Sequence, residues 1–168
     1  ESNGWDETYY EYDEDGQLIS ESNYYSTTYY EYDEDGNIIS EMTQDDYGEA
    51  SYGTVYMYDE NGNLISQESD WDGDGSGDEA YYYEYDADGN MILDGYMVDG
   101  TTLYVYTYAY DADGNMVSSY YESDWDGDDI FEQESYTYDY DANGNMVGET
   151  YENSWGSSYT YEYDENGN

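Results

Sequence analysis

The chain has 168 residues, of which 45 are Asp or Glu and none is Lys, Arg or His, so its formal net charge is −45. No carboxylate can find an internal ion-pair partner, and two carboxylates about 5 Å apart repel by roughly 0.8 kcal/mol even in water, so the composition calls for cations from outside, either calcium or high salt. It excludes nucleic acid as a direct partner, because phosphate binding needs basic residues; it leaves no His, Lys, Arg or Cys for base or nucleophile chemistry; and no apolar run reaches the length of a membrane span.

Low hydropathy with high charge usually means disorder, but 30 Tyr and 4 Trp argue for order. Tyrosine buries a large ring, keeps a polar hydroxyl and favours strands. Aliphatic residues are few, so any core is expected to be thin and made of rings.

Along the chain the pattern Y-x-Y-D-x-[DN]-G-[NQ] recurs seven times, with its second tyrosine at Tyr12, Tyr32, Tyr58, Tyr85, Tyr110, Tyr140 and Tyr163. In six copies two apolar residues follow, from Leu18-Ile19 to Met146-Val147. Each copy reads as strand, tight turn, strand. Before the turn the alternation has period two, so Tyr10 and Tyr12 share one face and Glu11 points to the other, wet one. In the turn, Asp bonds its own backbone ahead and Gly supplies the left-handed residue. The gaps between copies, rich in Ser, Thr, Gly and acids, are outer loops or second turns. No helix is predicted.

In the gap after the third copy, Asp70, Asp72 and Asp74 alternate, Gly75 follows, and Asp78 stands ninth in the loop. This run resembles the D-x-D-x-D-G-x-x-D calcium loops of EF-hand, dockerin and thrombospondin-type proteins, in which alternate carboxylates converge on one hard cation. Tyr81 stands where those loops have their bidentate Glu, and Glu79 is the candidate substitute. A sister loop after the fifth copy offers Asp124, Asp126, Asp128 and Glu132. Asp45 and Asp46 occupy a comparable gap with poorer spacing. The hairpin turns carry acidic pairs such as Asp13 with Asp15 and Asp86 with Asp88, which read first as turn formers, since two ligands are too few for tight calcium binding.

A single hairpin is not stable alone, whereas a tandem array lets each unit cover the next. The expected fold is all-β, an elongated β-spiral or β-solenoid of seven hairpin repeats forming a single array over residues 1–168. The Y-x-Y-D-x-x-G-N-[LIM] unit resembles the YD repeat of Rhs-type bacterial surface and toxin-shell proteins, which implies an extracellular or cell-surface location. A second resemblance, carried by residues 81–91, is to the choline- and glucan-binding repeats of cell-wall proteins.

Three functions follow as expectations. The first is a structural or adhesive surface fibre, stabilised by calcium and self-associating end to end. The second is a binding module for cell-wall or exopolysaccharide glycans, and the third is part of a Rhs-like toxin shell. Catalysis is not expected: carboxylate pairs could serve glycoside hydrolysis, but with 45 acids such pairs arise by chance. Because the chain begins and ends among repeats, it reads as a processed product or a segment of a longer protein.

Overall fold

The computed structural model describes residues 7–45, 51–124 and 131–163. Among these residues every regular element is a β-strand, as the composition and period-two patterning require. The chain divides into two compact units, Glu1–Ala80 and Tyr81–Asn168.

In the first unit, β1 (Tyr9–Tyr12), β2 (Leu18–Ser22), β3 (Ser26–Tyr32), β4 (Ile38–Asp45), β5 (Ser51–Tyr58) and β6 (Leu64–Asp70) pair in chain order as an antiparallel meander. After β7 (Glu79–Tyr85), which begins at the boundary, the second unit continues in the same way. It comprises β8 (Met91–Val98), β9 (Thr101–Tyr110), β10 (Met116–Ser123), β11 (Glu132–Tyr140), β12 (Met146–Asn153) and β13 (Ser158–Glu162). Within each unit, successive hairpins are thus joined edge to edge by backbone pairing, through contacts such as Ser20↔Tyr29 and Ser40↔Val55 in the first and Gly95↔Val105 in the second.

The repeated turn explains the repeated letters. In the second copy, Asp33 Oδ1 accepts hydrogen bonds from the backbone N–H groups of Asp35 (3.0 Å) and Asn37 (2.8 Å). Its Oδ2 accepts from Asn37 Nδ2 at 2.9 Å. The same side-chain bond joins Asn63 to Asp59, Asn90 to Asp86, Asn115 to Asp111 and Asn145 to Asp141. The glycine between them has φ near +85°, for example +87° at Gly36, where a Cβ would be strained. The motif's Asp, Gly and Asn therefore form one hydrogen-bonded cassette, and these aspartates act as turn formers.

One feature is not visible in the pattern. Tyr12 opposes Leu18 and Glu11 opposes Ser20, which leaves Ile19 as an extra residue in the ladder. The same β-bulge falls at Ile39, Ile65, Val117 and Val147. A bulge sets two residues against one, which is how two adjacent apolar residues fit a strand that otherwise alternates.

The intervening residue of Y-x-Y is exposed in all seven copies, while both tyrosines are half-buried in the five internal ones. The wet face is as expected. The core of rings is not: no hydrophobic residue is buried among the described residues, and the buried positions are Ser20, Ser40, Thr43, Ser123 and Asp124 with the glycines Gly95 and Gly148. Bulky rings on a single sheet shield the small residues between them yet stay half open themselves. In the second unit they form rows across the strands. Tyr81, Tyr96 and Tyr104 follow one another at 4.8 and 5.6 Å, and Tyr136, Tyr151 and Tyr159 at 4.9 and 4.8 Å. Such pairs contribute about 0.5–1.5 kcal/mol each beyond area burial.

Candidate cation site

The connection from β6 to β7 is the longest described turn, and carboxylates organise it. Asp78 N–H donates to the Ser69 carbonyl at 2.8 Å, which closes the loop at its base. Asp70 Oδ1 accepts from Gly73 N–H at 2.7 Å and Asp70 Oδ2 from Gly75 N–H at 2.9 Å. Asp78 Oδ2 accepts from Trp71 N–H at 2.7 Å. Gly73 and Gly75 take positive φ values of 76° and 86°, so the bends depend on glycine.

This folding brings one carboxylate oxygen from each of Asp70, Asp72 and Asp78 within 4.8 Å of the others. Asp70 and Asp78 are half-buried and Asp72 is exposed. Three negative charges at that spacing repel by on the order of 1 kcal/mol per pair in water, and by more beside a low-dielectric surface. Each oxygen that accepts one N–H keeps a second lone pair, so the three remain able to face a hard cation. Calcium takes six to eight oxygens. The three carboxylates supply three of those oxygens and leave the others to solvent.

The other expected ligands lie differently. Asp74 is outside the triad, and its Oδ1 accepts from Ser76 N–H at 2.7 Å. Glu79, the candidate substitute, is also outside the triad, at the start of β7. Of the sister loop, Asp126 and Asp128 lie outside the described residues, as does Asp46 of the weaker gap. Asp124 is buried, its backbone N–H donating to the Leu103 carbonyl at 2.9 Å, and Glu132 opposes Ser123 at the base of the same connection.

The hairpin-turn aspartates are spent on their own turns. Asn side-chain and backbone hydrogen bonds hold the carboxyls of Asp33, Asp59, Asp86 and Asp111 below the usual range, and that of Asp141 down to about 2.

Sequence reasoning missed a second recurrent contact. Tyr32 Oη donates to the Leu18 carbonyl (2.9 Å), Tyr58 Oη to Ile38 (3.1 Å) and Tyr140 Oη to Met116 (2.9 Å). In each case the second tyrosine of one repeat reaches the first apolar residue after the turn of the repeat before it. The only signal was the invariance of tyrosine, where phenylalanine would pack as well.

Comparison with known proteins agrees with this repeat geometry. The family model described as MORN repeat variant matches residues 8–24, 27–46 and 52–69, less than half of the chain. These three stretches contain the hairpin β1–β2 and most of β3–β4 and β5–β6. No curated protein sequence matches the chain. Among solved structures, TcdB2-TccC3-TEV is similar at a TM-score of 0.53 and 18% identity, over 92% of this chain and 10% of that one. TcdB2-TccC3 is similar at 0.53 and 17%, with the same coverage. The chain thus spans about a tenth of the length of these structures. At such identity the likeness is one of fold: a tyrosine-rich β-repeat fold resembling that of TcdB2-TccC3 over nearly all of this chain.

Proposed function

We propose that the chain is a non-catalytic wall segment of a longer, secreted YD-repeat protein of the Rhs-like shell type. The observation that carries this reading is the fold likeness to TcdB2-TccC3 across 92% of this chain, beside the resemblance of the Y-x-Y-D-x-x-G-N unit to YD repeats. Two features of the chain support it. The inter-repeat bond from Tyr32 to Leu18 and its equivalents at Tyr58 and Tyr140 needs only a preceding repeat, so a wall can be extended copy by copy. A sheet with no buried hydrophobic residue among the described residues also suits a wall better than a free-standing globule.

Calcium at Asp70, Asp72 and Asp78 holds the long turn in this reading, and extracellular calcium offsets part of the charge of −45. Electron microscopy of the longest natural protein that contains this segment tests the proposal. A hollow, sheet-walled particle is expected, and a solid thread would overturn it.

The second reading is the calcium-stabilised surface fibre, self-associating end to end. It is favoured by one observation: every residue of β1 and of β13 is exposed. Strand edges of that kind pair with other chains unless they are covered. In the same micrographs, threads that lengthen with protein concentration favour the fibre. Glycan binding remains the alternative use of the ring rows, and a glycan array separates it from both.

A further inference from the structure

Four residues stand in line across four strands of the second unit. Asp94 of β8 opposes Tyr106 of β9, Tyr106 opposes Tyr121 of β10, and Tyr121 opposes Glu134 of β11. Directly opposed side chains share one face of a sheet, so two rings are flanked by two carboxylates. The ring centroids of Tyr106 and Tyr121 are 4.4 Å apart, with planes 33° from parallel. Other ring pairs across the strands are wider: Tyr81 and Tyr96 at 4.8 Å, Tyr151 and Tyr159 at 4.8 Å, Tyr136 and Tyr151 at 4.9 Å.

Both carboxylates are held on the ring face by further tyrosines. Asp94 Oδ2 accepts from Tyr108 Oη at 2.8 Å, and Glu134 Oε1 accepts from Tyr151 Oη at 3.1 Å. Each keeps a second oxygen as an acceptor. Burial first, then Tyr121, Asp94 and Glu134, push the Tyr106 hydroxyl above the usual phenol range, so this ring is neutral at ordinary pH.

This setting favours oxidation. An electron leaves a ring more easily in a negative field, and the field here is that of two carboxylates on a chain carrying −45. The proton that a phenol sheds on oxidation has a carboxylate beside it to receive it. Two directly bonded phenol rings have centroids separated by two ring radii and one bond. Tyr106 and Tyr121 already stand close to that separation, so coupling calls for rotation of the rings and no shift of the strands. The chain has no cysteine, so no disulfide can tie these strands instead.

We propose that Tyr106 and Tyr121 are the site of an oxidative cross-link, a dityrosine bond that staples β9 to β10. Each phenol gives one electron to an oxidant and one proton to a neighbouring carboxylate, and becomes a phenoxyl radical. The two radicals pair their electrons in a carbon–carbon bond between positions ortho to the hydroxyls. The hydrogens on those two carbons then pass through solvent to the ring oxygens and restore both hydroxyls. The chain loses two hydrogens in all. Hydrogen peroxide acting through a peroxidase is the class of oxidant required, and it takes up the two electrons and two protons as two waters. The staple depends on neither the wall nor the fibre reading.

The test is oxidation of the whole chain, kept dilute, by illuminated ruthenium tris-bipyridine with persulfate, a one-electron oxidant small enough to reach half-buried rings. Cleavage after Asp separates the two rings at Asp111 and Asp113. Fragmentation mass spectrometry of the peptides should then find Tyr106 joined to Tyr121 with the loss of two hydrogens. Because proximity raises the effective concentration of the partner ring, this link should exceed any other at least about five-fold. Tyr121→Phe should lower dityrosine fluorescence at least about five-fold. Tyr25→Phe, which removes a ring that is 63% exposed, should leave it within about two-fold. Circular dichroism establishes that each variant keeps its strands. The linked chain should unfold at a higher urea concentration than the unlinked one, since a cross-link restricts the unfolded state. The assignment is overturned if the main link lies elsewhere, as at the more exposed Tyr24 and Tyr25, or if links form chiefly between chains. It is equally overturned if the chain unfolded in urea gives the same link in equal yield, if Tyr121→Phe keeps its fluorescence while folded, or if the linked chain unfolds at the same urea concentration.

Discussion

The hydroxyl of Tyr32 donates a hydrogen bond to the carbonyl of Leu18, 2.9 Å away, and so ties the second hairpin to the first. Leu18 opposes Tyr12 immediately before the bulge at Ile19, whereas the pairing of β2 with β3 begins only at Ser20. Its carbonyl is therefore left over by the ladder toward β3, and the tyrosine satisfies it. A backbone acceptor without a partner in a half-buried place costs free energy comparable to a lost hydrogen bond.

Removing this hydroxyl is the most direct test of the inter-repeat bond. Tyr32→Phe, Tyr58→Phe and Tyr140→Phe should each destabilise the fold by about 1 kcal/mol, measured by urea unfolding. The three sites belong to different hairpins, so the effects should add to within about 0.5 kcal/mol. Tyr10→Phe, at an exposed position in β1, is the control and should change stability by less than about 0.5 kcal/mol. Equal effects at Tyr10 and Tyr32 would show that the hydroxyl bonds carry nothing.

The turn cassette makes a prediction in pH. Asp141 is held at about 2, first by the Asn145 side chain and then by backbone N–H groups. An unfolded aspartate titrates near 3.9. Because the folded value is the lower one, the stabilisation linked to Asp141 is fully present above about pH 4 and is lost as pH falls through about 2. Asn145→Ala removes the leading cause, so the carboxyl of Asp141, followed by carbon NMR, should titrate at a higher pH than in the wild type. An unchanged midpoint would mean that the asparagine does not hold the carboxylate.

Calcium binding can be resolved residue by residue, because the triad divides the acidic loop. Asp72→Ala should weaken calcium at this loop at least about ten-fold in a calorimetric titration. Asp74→Ala, outside the triad, should leave it within about two-fold. With wild type in low salt, a chelator should lower the melting temperature, since an ion stabilises by mass action only if it prefers the folded state. Equal losses in the two variants would point to the overall charge rather than to this constellation.

Glycine at position 95 is required by a ring. A Cβ there would run into the Cζ, Oη and Cε1 atoms of Tyr82. Gly95→Ala should therefore cost about 1–3 kcal/mol, the usual range for overpacking. In Gly95→Ala/Tyr82→Ala the two changes should be clearly non-additive, because the second removes the clash created by the first. Simple additivity would mean that the ring moves aside at no cost.

Much of this architecture is legible in the letters. Period-two tyrosines, a D-x-x-G-N turn and seven tandem copies specify hairpins, because strand alternation and left-handed glycine are local properties that no distant contact has to supply. The wet face of Glu11, Glu31 and Glu84 follows from the same alternation. The acidic loop was legible as a stretch, and three of its four spaced carboxylates come together in the structure. The spacing places Asp70, Asp72, Asp74 and Asp78 on an equal footing, yet the loop turns Asp74 to the Ser76 N–H and leaves it outside the triad formed by the other three. That choice depends on backbone bends at Gly73 and Gly75, which the spacing of carboxylates does not encode.

The sequence by itself determined the all-β class, the positions of the six described D-x-[DN]-G turns and the unopposed charge, since each of these rests on composition or on interactions within about five residues. Only the tertiary structure decided the rest. The bulges at Ile19 and its equivalents appear once two strands are set in register. The bond from Tyr32 to Leu18 spans 14 residues and exists because the bulge leaves a carbonyl without a ladder partner. The close approach of Tyr106 to Tyr121 exists because pairing of β9 with β10 sets the two residues opposite one another. Register is a property of two strands together, and that is why none of these features can be read from one strand alone.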